Sequence, residues 1–266
     1  MKKILFIFFA LISILTLGSC GGNKTERLVV GMECDYEPFN YTEMKKTDTN
    51  VAIENVPGAY ADGYDVRMAK RIADALGKEL VIRAYQWEGL IPALNSKEID
   101  LIIAGMSETE ERKQTIDFTD PYYVSEEVIL MKKASRFNTA KSINDFNGAK
   151  VIGQLGTIYA DLVPQLVAKG AVAGVNLDTI PQIVNAMKQG VIDITIVELP
   201  VAKGIVASDT DLTYVTLNPG FEVDASDVAV SIGIRKNYEL KDQINQALKN
   251  ISLDDRVAIM DGVINR

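Results

Sequence analysis

The residues with the clearest chemical signature lie between Ala104 and Tyr123. An apolar run, IDLIIAG, ends at Gly105, and a polar turn containing Ser107 leads into a predicted helix. Arg112 falls in the first turn of that helix, where the partial positive charge of the helix N-terminus disfavours a cation. An arginine placed beside free backbone N–H groups and a serine hydroxyl is suited to bind a carboxylate from outside the chain.

A simpler interpretation of Arg112 is a solvated side chain paired with a neighbouring carboxylate. Glu108, Glu110 and Glu111 are all near enough in sequence to serve. Exposed ion pairs of this kind are common and contribute little stability. For an isolated arginine on a helix this alternative is the more frequent one, so the choice depends on the rest of the chain.

The composition excludes several classes of chemistry. The chain has 266 residues, is 47% hydrophobic and carries a formal charge of −8, which suits one large domain or two lobes and argues against nucleic acid as a partner. It contains no histidine, so catalytic triads and histidine metal sites are excluded. Its two cysteines make a zinc or iron–sulfur site implausible. We therefore predict neither a metal nor a cofactor.

The first residues predict export. Two lysines precede an apolar run that ends at Leu17 and is short for a membrane span, which is typical of a signal peptide. The ending Leu17–Cys20 resembles the lipobox of bacterial lipoproteins, in which cleavage precedes the cysteine and lipid is attached to its thiol. We predict a signal peptide over residues 1–19, lipidation of Cys20, a flexible tether over residues 20–27 and a lipid anchor in the cell envelope.

From residue 28 onward, β-rich runs alternate with amphipathic helical stretches, which predicts an α/β fold with mainly parallel sheets and helices on both faces. Residues 63–77 have the spacing of a packed helix. Residues 99–105 (IDLIIAG) and 227–236 (DVAVSIGIRK) are each predicted to be strands, and residues 43–61 to form an extended hairpin or loop.

Two segments resemble each other without a gap, ALNSKEIDLIIAG (93–105) and AMKQGVIDITIVE (186–198). The copies end at Gly105 and Glu198, each at the carboxyl end of a predicted strand, where ligands bind in open α/β sheets. Chance similarity between two βα units accounts for the match equally well. If the repeat is real, two similar lobes face a shared cleft.

Several motifs together resemble the polar amino acid-binding proteins of ABC importers, solute-binding protein family 3. They cover nearly the whole chain after the tether, in the family's order. The motifs are YEPF from Tyr36, GYDVRMAKRIADALG from Gly63, WEGLIPAL from Trp87, IDLIIAGMSETEERKQTIDFTDPYY from Ile99, IGQLGT from Ile152 and IDITIVELPVA from Ile192. Two positions depart from the family pattern: Arg67 stands where an acidic residue is frequent, and Glu198 where aspartate is usual.

The resemblance implies a type II periplasmic-binding-protein fold of two lobes with one ligand between them. The chain would cross between lobes twice, near Tyr123–Glu127 and Val223–Val230. Lobe 1 would comprise residues 28–124 plus 230–266, and lobe 2 residues 125–229. Ligand binding would stabilise a closed hinge conformation.

The resemblance also implies how the two ends of a free amino acid are bound. Arg112 would hold the carboxylate with a bidentate fork, aided by Ser107 and by N–H groups at the start of a second helix. The Gly105 carbonyl, the Ser107 hydroxyl and the Glu198 carboxylate would accept from the ammonium. Structural alternatives are a plain helix cap at Thr157 and a helix-start residue at Glu198.

By the same resemblance, the ligand's side chain would lie between the aromatic rings of Tyr36 and Trp87, with Glu33 at the position where related proteins carry an aspartate facing the ligand. Core packing is an equal alternative for Trp87. Glu33 would face the distal end of the ligand, with Gln154 beside it, which favours arginine or lysine, then glutamine or histidine. The full set of predicted ligand-binding residues is Glu33, Tyr36, Trp87, Gly105, Met106, Ser107, Arg112, Gln154, Thr157, Ile158 and Glu198.

The predicted function is a monomeric substrate-binding lipoprotein that captures a polar L-amino acid and delivers it to the permease subunits of an ABC transporter. The alternative is a periplasmic enzyme on the same fold resembling cyclohexadienyl dehydratase. A glutamic acid at position 198 is long enough to protonate a leaving group, but no second acid–base partner is evident.

Overall fold

The computed structural model describes residues 25–265, so the predicted signal peptide and Cys20 lie outside the described residues. The strands are β1 (Arg27–Met32), β2 (Asp35–Tyr36), β3 (Asn40–Glu43), β4 (Val51–Ala52), β5 (Tyr60–Asp62), β6 (Glu79–Ala84), β7 (Leu101–Ile102), β8 (Asp117–Phe118), β9 (Tyr123–Val124), β10 (Glu127–Lys132), β11 (Lys150–Ile152), β12 (Val172–Ala173), β13 (Ile194–Glu198), β14 (Leu212–Val215), β15 (Ala229–Val230) and β16 (Gly233–Ile234). The α-helices are α1 (Tyr64–Ala75), α2 (Leu90–Asn95), α3 (Glu110–Thr115), α4 (Ile158–Val167), α5 (Ile180–Lys188), α6 (Leu199–Ser208), α7 (Ala225–Val228), α8 (Lys241–Lys249) and α9 (Leu253–Ile264), with 3-10 turns at Trp87–Gly89 and Ile143–Asp145.

Two five-stranded sheets carry the fold, in the orders β6-β1-β7-β16-β8 and β12-β11-β13-β10-β14. Each is mixed: the central strand is parallel to the neighbour on one side and antiparallel to the neighbour on the other. The antiparallel strands β10 and β16 enter their sheets directly from the crossing segments. They therefore lack the helical connection that a parallel neighbour needs. The α/β class is as predicted, but the prediction of mainly parallel sheets is wrong. Each sheet is mixed because β10 or β16 pairs antiparallel with its neighbours.

The internal sequence repeat corresponds to a structural repeat. Its two copies supply β7 and β13, the central strands of the two sheets. The Asp100 amide donates to the Val29 carbonyl at 2.7 Å, and the Asp100 carboxylate accepts from the Val29 amide at 3.0 Å. Asp193 makes the same pair of bonds with Lys150, both at 2.9 Å. Equivalent residues thus hold equivalent strand pairs, which favours a true repeat over chance similarity.

The two sheets are connected through a separate two-stranded ribbon, in which β9 and β15 pair antiparallel. The strands of the first sheet come from before β9 and after β15, and those of the second sheet come from between them. The predicted limits of the two lobes stay a prediction.

The polar insertion forms part of a small four-stranded sheet, β2-β3-β5-β4. Beyond β4, Ile53 bridges to Ile82 in β6, and the Glu54 amide donates to the Ile82 carbonyl at 2.8 Å. The Glu54 carboxylate pairs with Arg83 at 2.6 Å and also with Arg27. Because β6 is the outermost strand of the first sheet, this segment covers backbone groups that an open edge would expose. Among the described residues, no helix is long and apolar enough to cross a membrane.

Candidate functional site

The predicted site residues converge where the two sheets face each other. A narrow cavity there is lined by Glu33, Tyr36, Trp87, Gly105, Ser107, Arg112, Gln154, Thr157, Ile158 and Tyr159. Its volume is about 10 Å³, roughly the space of one water molecule. A larger cavity of about 440 Å³ continues past Arg112, with Met106 among its lining residues. Glu198 lies behind Tyr159 rather than on the cavity wall.

Arg112 is held by carbonyl groups and an aromatic ring. Thr109 caps α3, accepting from the Arg112 amide at 3.3 Å. The guanidinium Nη1 donates to the Ser107 carbonyl at 2.9 Å, Nη2 donates to the Gly156 carbonyl at 3.3 Å, and the guanidinium carbon lies 5.0 Å from the centre of the Trp87 ring. Removal from water lowers the pKa of this guanidinium.

The carboxylates proposed as simple partners of Arg112 are engaged elsewhere or stand apart. The Lys113 ammonium pairs with Glu108 at 3.4 Å and with Glu110 at 3.1 Å. Glu111 is exposed and makes no ion pair with Arg112 among the described residues. The solvated-pair interpretation therefore does not hold. A half-buried cation with neutral partners favours an approaching anion.

Gly156 connects the two sides of the cleft. Besides the bond from Arg112, its carbonyl accepts from the Trp87 Nε1–H at 2.8 Å. Its φ of +71° lies in the left-handed region, and a Cβ added there would stand 3.3 Å from the Trp87 ring. The absence of a side chain at Gly156 thus allows this close approach.

Thr157 stands at the N-cap position of α4, but its side chain does not cap the helix. Its hydroxyl instead donates to the Gln154 carbonyl at 2.8 Å. The plain helix-cap alternative therefore does not explain this threonine. The first N–H groups of α4 are left without a side-chain cap beside the cavity, as an anion site requires.

Glu33 and Gln154 form the second contact across the cleft. The Gln154 amide nitrogen donates to Glu33 Oε1 at 2.9 Å and to the Asp178 carbonyl at 3.0 Å. Burial, and to a smaller extent the charge of Asp35, raise the pKa of Glu33 to about 8 against the opposing effect of the bond from Gln154. A pKa in this range favours the uncharged form of Glu33 at neutral pH, and a cation beside it would restore its charge.

Glu198 is only 1% exposed and carries no cation of its own among the described residues. The Tyr159 hydroxyl donates to its Oε1 at 2.6 Å, whereas its Oε2 makes no hydrogen bond in this part of the chain, and the Tyr36 hydroxyl lies near enough to lower the pKa of Glu198. Burial raises the pKa of Glu198 to about 8. It occupies the N-cap position of α6 without capping that helix, so the helix-start alternative does not explain it.

Tyr159 is the site residue that sequence reasoning missed. It is 5% exposed, lines the narrow cavity and bonds to Glu198, 39 positions away in the chain. The available signal was the carboxylate at the end of an apolar strand, since a buried carboxylate needs hydrogen-bond donors. Nothing local in the sequence identifies Tyr159 as that donor.

The charged side chains on the walls of the larger cavity are mostly acidic. Its charged lining residues are Glu88, Glu111, Asp161 and Asp227, with Arg112 as the cation. No group of three or more cysteine or acidic side chains in the described part of the chain is arranged to hold a metal ion. A cavity entrance with a net negative charge attracts cationic solutes and repels anionic ones.

Comparison with known proteins supports these observations. The family model described as bacterial extracellular solute-binding proteins, family 3, matches residues 28–261. The arginine-binding extracellular protein ArtP of Bacillus subtilis is 31% identical over 257 residues, which cover 94% of this chain and 93% of ArtP.

Solved structures of amino acid-binding proteins are similar to this chain in fold. The amino acid ABC transporter substrate-binding protein AbpA from Streptococcus pneumoniae, bound to L-arginine, superposes with a TM-score of 0.75 at 27% identity, covering 90% of this chain and 94% of AbpA. AncCDT-1, an ancestral amino acid-binding protein described as a precursor of cyclohexadienyl dehydratase, superposes with a TM-score of 0.70 at 26% identity, again over 90% and 94%.

The structural neighbours are type II periplasmic binding proteins, so the predicted fold class is confirmed. The resemblance to amino acid-binding proteins of ABC importers is confirmed as well. The chain belongs to family 3 of the bacterial extracellular solute-binding proteins.

Proposed function

We propose that this protein binds a free L-amino acid between its lobes. Two features of the described residues carry the proposal: Arg112 is a cation bonded to neutral carbonyl groups, and Glu198 is a buried carboxylate whose Oε2 has no hydrogen-bond partner there. An α-amino acid carries one charge for each. Tyr36, Trp87, Ser107 and Thr157 complete the walls around them.

The preferred ligand in this proposal is cationic, arginine or lysine, followed by glutamine or histidine. Glu33 supplies a carboxylate at the far end of the cavity, and the acidic outer walls favour approach of a positive charge. ArtP is named as an arginine-binding protein and AbpA was solved with bound L-arginine, so the similarity to both also favours arginine as the ligand. Met106, Gly105, Ile158 and Gln154 would contact the ligand through packing or backbone groups.

Anchoring and delivery belong to the same proposal. Lipidation at Cys20 would hold the protein at the outer face of a membrane, and a closed, ligand-loaded protein would present the amino acid to ABC permease subunits. Labelling cells with an azido fatty acid should mark the wild-type protein and leave Cys20→Ala unlabelled. Equal labelling of both proteins would contradict the anchor.

A thermal-shift screen of the proteinogenic amino acids tests ligand identity. A ligand present at about 100 times its Kd adds roughly 2.7 kcal/mol to the free energy of unfolding. We expect the largest increase in Tm with arginine or lysine and none with aspartate or glutamate. A screen in which no amino acid raises the Tm would contradict the proposed function.

Replacing Gly156 by alanine should weaken binding by about tenfold, because a Cβ would press on Trp87 as the lobes close and strain the left-handed backbone. Gly77→Ala is the matched control, since Gly77 also has positive φ but nothing within 4 Å of its added Cβ. Both variants should lose Tm, and only Gly156→Ala should lose affinity in calorimetry. Equal affinities for the two variants would contradict this account of closure.

The pH dependence of closure follows from Glu33 and Glu198, whose pKa values rise from 4.5 to about 8 in the closed cleft. At pH below 4.5 both carboxyls are protonated whether the cleft is open or closed. We expect opening to hydrate both carboxyls and to return their pKa values towards 4.5. Between pH 4.5 and 8 the open cleft would then lose these protons while the closed one keeps them, so closure should become less favourable as the pH rises and level off above 8.

Trp87, the single tryptophan of the sequence, reports this change. Without added amino acid, its emission should shift to the red as the pH rises from 5 to 8, because Trp87 leaves Gly156 and enters water. Saturating arginine, which places a cation beside each carboxylate, should abolish the shift. An identical shift with arginine present would contradict the assignment of either carboxyl.

One observation favours a second candidate, a dehydratase. Burial raises the pKa of Glu198 to about 8, which favours the protonated form that a general acid needs, and AncCDT-1 is described as a precursor of cyclohexadienyl dehydratase. Incubation with prephenate or arogenate distinguishes the candidates. We expect no turnover, and product formation that is lost in Glu198→Gln would establish the enzyme.

A further inference from the structure

A second buried carboxylate, away from the cavity, is unexplained by ligand binding. Asp65, in the first turn of α1, is 0% exposed and makes no ion pair among the described residues. The helix N-terminus favours a negative charge there. Its two oxygens are nevertheless used by side chains from two other segments of the chain, which a helix-start role does not require.

The first arm runs through Asn40 to the segment that carries Glu33. The Asn40 amide nitrogen donates to Asp65 Oδ2 at 2.8 Å, and its Oδ1 accepts from the Cys34 amide at 2.7 Å. Cys34 has a φ of +63°, in the left-handed region, directly after Glu33. The orientation of one buried amide therefore stabilises the backbone that aims Glu33 into the cleft.

The second arm runs through Tyr122 to the clamp and to the crossing ribbon. The Tyr122 hydroxyl donates to Asp65 Oδ1 at 2.6 Å and accepts from the Gly105 amide at 3.2 Å. The Tyr122 carbonyl accepts from the Tyr64 hydroxyl at 2.9 Å, and its amide donates to Val230 at 2.9 Å. Tyr122 immediately precedes β9, so this arm holds both Gly105 and the start of the first crossing strand.

The donors in this network all point towards Asp65. The Gly105 amide donates to the Tyr122 hydroxyl, which donates to one oxygen of Asp65. The Asn40 NH₂ group donates to the other oxygen, so the Asn40 Oδ1 can accept from the Cys34 amide. Only a group that accepts at both oxygens permits this polarity. Burial raises the pKa of Asp65 to about 6, which leaves it ionised and purely accepting at neutral pH.

We propose that Asp65 is a positioning residue that sets the geometry of the ligand site and of the first crossing strand together, acting through Asn40 and Tyr122. This inference rests on the proposed amino-acid binding. An asparagine at position 65 must turn its NH₂ group towards either Asn40 or Tyr122. In the first case Asn40 releases Cys34, and in the second the Tyr122 hydroxyl loses its acceptor.

Exchange of the two side chains provides a stringent test. In the double variant Asn40→Asp/Asp65→Asn, the new aspartate accepts from Cys34 and from the new asparagine, whose oxygen accepts from Tyr122. The bonds to the Cys34 amide and from the Tyr122 hydroxyl keep their direction, while the bond between positions 40 and 65 reverses and the charge moves to position 40. Ile72→Val is the control for lost stability alone, since Ile72 is a buried residue of the same helix outside the network.

Calorimetry with L-arginine should show affinity falling about tenfold or more in Asp65→Asn, recovering to within about threefold of wild type in the double variant, and unchanged in Ile72→Val. The inference is overturned if Asp65→Asn binds as wild type does, or if the double variant fails to recover. If Asp65→Asn does not fold, the double variant decides alone: it must fold and bind, and any other result overturns the inference.

Hydrogen exchange of the Cys34 and Gly105 amides separates this inference from the proposed function, because it needs no ligand. One or both amides should exchange faster in Asp65→Asn than in wild type and regain protection in the double variant. If the wild-type protein binds no amino acid but the variants show this exchange pattern, the proposed function is contradicted and the network is supported. Unchanged exchange in Asp65→Asn overturns the network even if arginine binds.

Discussion

Arg112→Ala should reduce the affinity for every amino acid by about a thousandfold or more, equivalent to about 4 kcal/mol. The reason is that the ligand carboxylate would enter, without its cation, a cleft that has Glu33 in its wall and Glu198 behind Tyr159. The fold should persist, since in the described part of the chain the Arg112 guanidinium contacts just the carbonyls of Ser107 and Gly156 and the Trp87 ring, all at the cleft. Calorimetry with arginine measures the loss.

Two variants sharpen the test. Arg112→Lys keeps the charge but loses the planar fork, so it should bind weakly rather than not at all. Arg136→Ala removes another arginine that lies over an aromatic ring, 4.4 Å from the centre of Phe137, and should bind as wild type does. Undiminished affinity in Arg112→Ala would refute the clamp.

Glu33→Gln should weaken arginine by about 30- to 100-fold while glutamine changes by no more than about threefold. A hydrogen bond to a charged group in a poorly solvated site is worth roughly 2–3 kcal/mol more than a neutral contact. The substitution is conservative in shape, and Gln154 can still donate to the new amide oxygen. Competition binding with both amino acids measures the ratio.

Citrulline is the matched ligand control, because it has the shape of arginine without the positive charge. Its affinity should be insensitive to Glu33→Gln. Glu239→Gln removes an exposed carboxylate and controls for the change in net charge. If arginine and citrulline weaken equally in Glu33→Gln, the preference for a cationic ligand is wrong.

Local patterns predicted the helices well and the strands less well. The apolar spacing of residues 63–77 corresponds to α1. The helix ends before Gly77, which adopts the left-handed backbone conformation. Residues 227–236, predicted as one strand, divide into the end of α7 and the strands β15 and β16. The chain there must leave the crossing ribbon and enter the first sheet, a requirement that hydrophobic pattern does not contain.

The site was predictable where a residue's role follows from its own neighbours. Arg112 stood out because a cation is unfavourable at a helix start, and the repeat marked Gly105 and Glu198 as equivalent strand ends. Contacts between distant positions were not predictable. The Tyr159–Glu198 bond and the network around Asp65 join segments 39 and 57 positions apart, and they follow from how the lobes and helices pack.

The central claim is that one amino acid satisfies Arg112 and Glu198 at once. Titration of the purified protein with L-arginine, agmatine and N-acetyl-L-arginine tests it most directly, since agmatine lacks the carboxylate and the acetylated compound lacks the ammonium. We expect saturable binding of arginine to one site per protein, and binding of each analogue weaker by about a hundredfold or more. Agmatine or N-acetyl-L-arginine binding as tightly as arginine would contradict the claim.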